Sequence, residues 1–437
     1  MLTYLTRHHR QALHGMFAGA LVSCLSGLAW AAPGKAAPPP SSPSLAATAP
    51  ALTVAAAEPL LARVFTAIEA NKLNEALALT DQLLLEKPNF HLAHLIRGDL
   101  LQAKARPLTG FGAAAAVNAN AASAAPRVQE LREEALLRLK AYRQKPPADA
   151  VPRYLLQMKA DQRYAVIVDT KKSRLYIYEN AQGQPRFLAD YYISQGKNGT
   201  EKAREGDQKT PLGVYHVTDY VPKSKLPDLY GAGAFPISYP NEWDKRLGKS
   251  GHGIWLHGTP SNTFARAPRA TDGCVVLANA DFESIGRYMQ TGTTPVVISE
   301  EVEWLKLDDW NRERTELTTA IEKWRRDWEG LNIERYLAHY HQEFNGDGVK
   351  LAEWSSRKRQ VNAAKAWVKV GVNNVSMLRY PGKEDMVVVT FDQDYRSSNL
   401  ANIAKKKQYW VRTPATPATN GKAGKPGSWK IIDESTV

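Results

Sequence analysis

The spacing of the apolar residues changes near Tyr164, and this change limits how the chain can fold. On the N-terminal side, apolar residues recur every three or four positions, as in amphipathic helices. From Tyr164 onward, short runs rich in β-branched and aromatic residues alternate with turn residues, which is typical of strands. The runs at 164–169 and 174–178 predict a hairpin, and further strands are predicted at 189–194, 213–218, 253–256 and 295–299. We therefore predict a compact, mainly β domain over residues 160–300.

The helical pattern covers residues 54–150, with an interruption rich in alanine and asparagine near 112–125. The stretch from Glu75 to Gly98 resembles a tetratricopeptide helix pair, of which about one unit is visible. A single pair cannot bury its own apolar face, so it must pack on something else. We interpret this region as a helical spacer or a dimerisation element through which the chain could form oligomers.

After a charged helical linker at about 301–316, the C-terminal part of the chain has a different pattern. A helix is predicted from Leu317 to Phe344, and strands are predicted at 367–372, 385–391, 408–411 and 429–432. A helix followed by strands in a separate unit predicts an α+β domain over residues 317–437. The aromatic residues of the helical part, which we interpret as core packing rather than a glycan or peptide pocket, are Trp324, Trp328, Tyr336 and Tyr340.

The first 31 residues resemble a secretory signal, with Arg7 and Arg10 ahead of an apolar stretch and a small-x-small cleavage site at Ala29-Trp30-Ala31. Residues 32–53 are rich in alanine, proline and serine and predict a flexible linker. An alternative is a lipoprotein signal with Cys24 as the lipidated residue, which the continuing apolar stretch disfavours. We expect the protein in the periplasm or cell envelope, with no transmembrane span after signal cleavage.

The chain of 437 residues carries a formal net charge of +13, which would suit an anionic partner. Export argues against nucleic acid, and the basic residues are scattered rather than gathered into one stripe. The ten histidines show no ligand-like spacing, so no metal site or cofactor is predicted.

Cys274 is the only cysteine that remains after the predicted cleavage, so it cannot form an internal disulfide. It lies in Thr271-Asp272-Gly273-Cys274, downstream of His257-Gly258-Thr259. A lone thiol is either buried and inert or retained for its reactivity. A nearby imidazole can take the proton from the thiol and give a thiolate–imidazolium pair that attacks an amide carbonyl.

Several further elements occur in a fixed order around this motif: Val168-Asp169 before Arg174 to Tyr178, Thr210-Pro211-Leu212-Gly213, Tyr230-Gly231 before Ile237-Ser238-Tyr239-Pro240, and Gly253 to Gly258. With them, residues 163–300 resemble the catalytic domain of the L,D-transpeptidase (YkuD-type) family. The resemblance implies Cys274 as nucleophile and His257 as base. It implies an oxyanion hole formed by backbone N–H groups around Gly273 and Cys274. It also implies a substrate-binding surface that includes Gly258, Thr271, Asp272, Tyr239 and His252.

Two positions depart from the family pattern. The histidine of the family's Ser-His-Gly-Cys is Asp272 here, and the arginine often found two residues after the cysteine is Val276. Neither is the nucleophile or the base, so acyl chemistry should survive. The departures affect substrate contacts and the choice of acyl acceptor. We expect His252 to be structural or to line the substrate rather than to be the base, and Tyr239 to be core or pocket wall.

The C-terminal unit resembles the nuclear-transport-factor-two-like (NTF2-like) fold. The combination of the two domains resembles the cell-shape L,D-carboxypeptidases. The resemblance implies action on peptidoglycan stem peptides, with attack at the L-centre carbonyl of diaminopimelate and release of D-alanine. Transfer of the acyl group to an amine, on a neighbouring stem or an envelope protein, would make the enzyme an L,D-transpeptidase. Hydrolysis would make it an L,D-carboxypeptidase. A third hypothesis is a non-catalytic scaffold that binds the cell wall.

Overall fold

A computed structural model of the chain describes residues 57–117, 121–382, 385–414 and 427–437. The predicted signal peptide, the linker at 32–53 and Cys24 lie outside the described residues. None of the helices within these ranges combines the length and apolar character that a membrane crossing needs.

The N-terminal part is a helical unit of α1 (Ala57–Glu69), α2 (Leu73–Glu86), α3 (His91–Ala103) and α4 (Ala121–Arg143). Its apolar faces meet in a core that contains Leu61, Val64 and Leu83, all fully buried. Tyr192 and Phe264 of the following domain belong to the same core. The helices therefore bury their open face against the β domain, as the isolated helix pair requires. The tetratricopeptide resemblance stays a prediction.

The middle of the chain contains short strands and helices: β1 (Ala150–Pro152), β2 (Leu155–Gln157), β3 (Tyr164–Asp169), β4 (Arg174–Ala181), β5 (Gln184–Tyr192), β6 (Gln195–Gly196), β7 (Gly213–His216), β8 (Val221–Pro222), β9 (Gly233–Pro236), α5 (Glu242–Arg246), β10 (Trp255–His257), β11 (Arg269–Thr271), β12 (Val275–Val276), α6 (Asn279–Gly286), β13 (Pro295–Ser299) and β14 (Trp304–Lys306). The predicted hairpin is present as β3 and β4, with Val166 opposite Ile177.

Two sheets of this region share one core. One has the order β5-β4-β3-β13-β7, and the other has the order β12-β10-β9-β8. Alternate residues of each strand face inward, so Val166 and Ile177 of the first sheet join Leu256 and Val275 of the second, all fully buried. The opposite face of β10 and β12 is thereby left for other contacts.

The C-terminal part consists of α7 (Leu307–Glu329), α8 (Ile333–Leu337), β15 (Tyr340–Gly346), β16 (Val349–Lys350), α9 (Leu351–Ala363), β17 (Val368–Arg379), β18 (Met386–Ser397), β19 (Leu400–Arg412) and β20 (Trp429–Thr436). Its sheet has the order β16-β15-β20-β19-β18-β17-β2. Strand β2 precedes the β domain in sequence, so the chain contributes one strand to this sheet before it folds the β domain. Strand β1 likewise precedes the β domain in sequence and pairs with β14, which follows it.

The single helix predicted from Leu317 to Phe344 is wrong. The observed helix α7 begins ten residues earlier, within the predicted linker, and ends at Glu329 because Gly330 and Leu331 follow, the latter with φ of 56°. Phe344 lies on strand β15. Trp324, Tyr336 and Tyr340 are buried in the core, as predicted, while Trp328 is only partly buried.

Candidate active site

The pairing of β10 with β12 brings His257 and Cys274 to one face of their sheet. The two strands run parallel, with Leu256 opposite Val275 and His257 opposite Val276. Leu256 and Val275 point into the core. Because side chains alternate along a strand, Trp255, His257 and Cys274 lie on the other face. This local geometry places the predicted base and the predicted nucleophile on the same face of the sheet.

Backbone contacts fix the tautomer of His257. Its side chain is buried, and Nδ1 lies 2.7 Å from the carbonyl oxygen of Gly258. A carbonyl oxygen only accepts, so Nδ1 carries the proton and Nε2 keeps a free lone pair. Burial lowers the pKa of His257 to about 4, although the hydrogen bond to Gly258 opposes the shift. The imidazole is therefore neutral at pH 7 and can accept a proton at Nε2.

Position 258 has no space for a side chain, so a glycine is needed there. A Cβ at this position would lie 2.1 Å from Oδ1 of Asn279. Asn279 accepts a hydrogen bond from the Ala232 N–H at 2.8 Å and donates one to the Thr259 oxygen at 2.9 Å. This amide side chain thus holds the segment after His257 against the segment after Tyr230.

The thiol of Cys274 is half-buried and donates to the carbonyl oxygen of Gly253 at 3.3 Å. Burial raises the pKa of this thiol to about 11, while the backbone N–H of Trp255 favours the thiolate. The charge of Asp272 also raises the pKa of the thiol, and the charges of Arg266 and Lys202 lower it. At rest both groups are thus neutral, a thiol and an imidazole, rather than a thiolate–imidazolium pair.

The turn before Cys274 uses one of the two amides predicted to form the oxyanion hole. The N–H of Gly273 donates to Oγ1 of Thr271 at 3.1 Å, and that hydroxyl donates to the Cys274 oxygen at 2.7 Å. Within the described ranges, the N–H of Cys274 has no such acceptor. Gly273 has φ of 128°, and a Cβ there would lie 2.7 Å from the Lys209 oxygen. The Cys274 amide, rather than that of Gly273, is available to a developing oxyanion.

Asp272 points into solvent, with its side chain 77% exposed. Its Oδ1 accepts from Nζ of Lys197 at 3.2 Å and from Nε2 of Gln208 at 2.9 Å. The carboxylate therefore acts on Cys274 through its charge and not as a proton carrier in the position of the family's histidine.

We predict that Asp272→Asn lowers the pKa of the Cys274 thiol, because the substitution removes a nearby negative charge. The shift should stay below about one pKa unit, since Asp272 is exposed and water screens its charge. The pH dependence of alkylation by iodoacetamide measures it. Glu205→Gln, which removes another exposed carboxylate, is the matched control and should leave the thiol unchanged.

Tyr230 is a site residue that the sequence analysis used only as part of a motif. Its ring contacts those of Trp255 and His257, with centroids 4.9 Å apart in each case. Burial raises the pKa of Tyr230, and the charge of Cys274 adds to the shift. In the sequence, Tyr230-Gly231 ahead of a strand predicts a turn. It does not predict that the Tyr230 ring contacts Trp255 and His257.

Among the described residues, His252 and Tyr239 contact groups other than the Cys274 thiol. The His252 side chain is 81% exposed and lies 3.6 Å from Glu205. Tyr239 is buried in the core of the β domain and donates to the Ser250 oxygen at 3.0 Å. No group of three or more histidine, cysteine or acidic side chains in the described part of the chain is arranged to hold a metal ion.

Two parts of the chain match known protein families. Residues 163–298 match the L,D-transpeptidase catalytic domain family, and residues 316–417 match the Cds6 C-terminal NTF2-like domain family. No match was found among curated proteins.

Two solved structures are similar over most of their own length. Bd1075 of Bdellovibrio bacteriovorus is 29% identical with a TM-score of 0.56, over 66% of this chain and 98% of that chain. The helical cell shape determining protein Pgp2 of Campylobacter jejuni is 26% identical with a TM-score of 0.53, over 65% of this chain and 95% of that chain.

Proposed function

We propose that this chain, in which an L,D-transpeptidase catalytic domain precedes an NTF2-like domain, is an exported cysteine acyltransferase that acts on peptidoglycan stem peptides. Cys274 is the nucleophile and His257 is the general base. The observation that carries the proposal is the shared face of β10 and β12, which holds both a buried neutral imidazole with a free Nε2 and a half-buried thiol.

The protonation states define the order of events. Neither group is ionised at rest, so the thiol loses its proton as it attacks. Sγ bonds to the carbonyl carbon at the L-centre of diaminopimelate, and Nε2 of His257 takes the thiol proton. The Cys274 N–H stabilises the oxyanion. When the tetrahedral intermediate collapses, the C–N bond breaks and the imidazolium gives its proton to the departing amine of D-alanine, leaving a thioester.

The acyl acceptor decides which reaction is completed. An amine from another stem or from an envelope protein gives an L,D-transpeptidase, and water gives an L,D-carboxypeptidase. Val276 in place of the family's arginine and the likeness to a cell shape determining protein favour hydrolysis, while the catalytic family favours transfer. Muropeptide analysis with purified protein distinguishes them, because tripeptides alone indicate hydrolysis and new cross-links at the third residue indicate transfer.

We further propose the periplasm or cell envelope as the location, since the substrate lies there and residues 1–31 have the features of a secretory signal. Mass spectrometry of the mature N-terminus tests this proposal. A start at Ala32 supports signal cleavage, and a lipidated Cys24 would support the lipoprotein alternative.

A non-catalytic scaffold is the competing function, supported by Asp272 in place of histidine. A carbapenem contains a strained amide that a competent thiol opens, leaving a covalent adduct. Intact-mass measurement should therefore show an adduct on the wild-type protein and none on Cys274→Ala. The absence of an adduct on the folded wild-type protein would favour the scaffold.

In the pH profile of the acylation rate, the loss of rate toward acid should be centred at a pH well below the usual pKa range of histidine. A general base must be neutral, so acylation is lost as the pH falls through the pKa of His257, which burial places at about 4. We expect the second-order rate of carbapenem acylation to change little between about pH 5.5 and 7.5. A limb centred near the ordinary histidine pKa of about 6.5 would show that the imidazole is not held in the buried environment described here.

A further inference from the structure

The N-terminal helical unit holds the loop that joins the base to the nucleophile. In this loop, residues 258–270, Phe264 is buried and packs on Phe90 with ring centroids 4.6 Å apart. The N–H of Phe264 donates to the Asn89 oxygen at 3.2 Å, and the Asn89 side chain donates to the Ser261 oxygen at 3.0 Å. The turn between α2 and α3 is therefore built into the middle of the loop.

Helix α4 also holds the same loop, indirectly through Tyr192 and directly through an ion pair. The guanidinium of Arg138, itself buried, lies 3.7 Å from the ring centre of Tyr192. The Tyr192 hydroxyl donates to the backbone oxygen of Arg266 at 3.0 Å. Closer to the cysteine, Arg269 forms an ion pair with Glu133 of α4 at 2.7 Å. The contacts with the turn between α2 and α3 and the contacts with α4 together fix the backbone on both sides of Arg266.

The Arg266 side chain is half-buried, yet no carboxylate within the described residues lies within 4.0 Å of it. Its guanidinium donates no hydrogen bond to any described group, although its backbone oxygen is bonded. Burial lowers the pKa of Arg266, and the negative charges of Asp272 and Cys274 oppose that shift. A partly buried guanidinium is normally paired, and a carboxylate is its preferred bidentate partner.

We propose that Arg266 is a specificity-determining residue that binds a carboxylate of the substrate beside Cys274, and that the N-terminal helical unit positions it. This inference rests on the proposed function and names the group that the active site recognises. A stem peptide offers two carboxylates near the scissile bond: the terminal carboxylate of D-alanine and the free carboxylate of diaminopimelate. Both present the same anion to a guanidinium.

The experiment compares three tetrapeptide substrates: the free acid, the D-alanine carboxamide, and the peptide amidated at diaminopimelate. With the wild-type protein, kcat/KM should fall roughly 10- to 100-fold for whichever amide removes the recognised carboxylate. Arg266→Gln should lose a similar factor on the free acid and should no longer distinguish the acid from that amide. Arg266→Lys should restore part of the preference. Arg287→Gln, a charge change at an exposed site immediately after α6, should behave as the wild type.

The positioning role has its own test in Tyr192→Phe, which removes the hydroxyl bonded to the Arg266 oxygen and keeps the ring against Arg138. The preference for the acid should decrease while the rate of alkylation of Cys274 by iodoacetamide, which carries no carboxylate, stays unchanged. A wild-type protein that turns over all three substrates equally would overturn the proposal, as would an Arg266→Gln variant that keeps the preference. In either case, loss of turnover in Cys274→Ala would leave the proposed function intact.

Discussion

Cys274→Ala is expected to abolish the release of D-alanine from tetrapeptide stems while leaving the folded protein almost as stable as the wild type. Alanine has no atom that can form the thioester, and residual turnover should lie at least about a thousandfold below the wild-type rate. The side chain is half-buried, and its polar contacts are limited to the Gly253 oxygen and the backbone N–H of Trp255. The free energy of unfolding should therefore change by less than about 1.5 kcal/mol. Chromatography of the muropeptides and thermal unfolding measure the two effects.

Cys274→Ser provides the control for shape, since it keeps the hydrogen-bonding group but replaces the thiol with a far weaker nucleophile. It should fold as the wild type and show no more turnover than the alanine variant. If Cys274→Ala instead lost several kcal/mol of stability and kept its activity, the cysteine would be a packing residue and the proposed nucleophile would be wrong.

The parts of the fold that could be predicted from the sequence are those that depend on the local spacing of apolar and turn residues. Strands β3 and β13 have the predicted bounds because continuous β-branched runs end at turn residues on both sides. Cys274 and His257 could be singled out because a lone thiol and a His-Gly pair are local features. Their placement on one face could then be explained, once the register of β10 and β12 was known.

The remaining features depend on contacts between residues far apart in sequence. Strand β2 has only three residues and finds its partner, β17, more than two hundred residues later, which no local pattern reveals. The hydrogen bond of Gly273 to Thr271 likewise depends on the geometry of a turn rather than on residue type. Arg266 was overlooked because its proposed role depends on a contact that it lacks among the described residues, a carboxylate within 4.0 Å.

The contacts of Asp272 explain what the departure from the family pattern at this position changes. A histidine there could exchange a proton with the thiol, but the aspartate is engaged by Lys197 and Gln208 and raises the pKa of Cys274. Among the described imidazoles, that of His257 lies on the same face of the sheet as Cys274. We therefore propose that proton transfer from the thiol depends on His257.

His257→Ala should consequently slow acylation by on the order of a hundredfold or more. The thiol pKa of about 11 leaves very little thiolate at pH 7, so without a base the reaction must wait for that small ionised fraction. The residual rate should then rise about tenfold for each pH unit between roughly pH 5.5 and 7.5, where the wild-type rate is nearly constant. Stopped carbapenem reactions followed by intact mass give both profiles.

His216→Ala is the matched control, because His216 is also partly buried with a pKa lowered by burial but lies on β7, outside the candidate site. It should retain the flat profile of the wild type. A flat profile in His257→Ala would mean that another group removes the thiol proton. In the active site described here, the only other ring in contact with His257 that carries a proton-exchanging group is Tyr230. Because burial raises the pKa of its phenol, Tyr230 would be a poor base at neutral pH, so we expect the steep profile in His257→Ala.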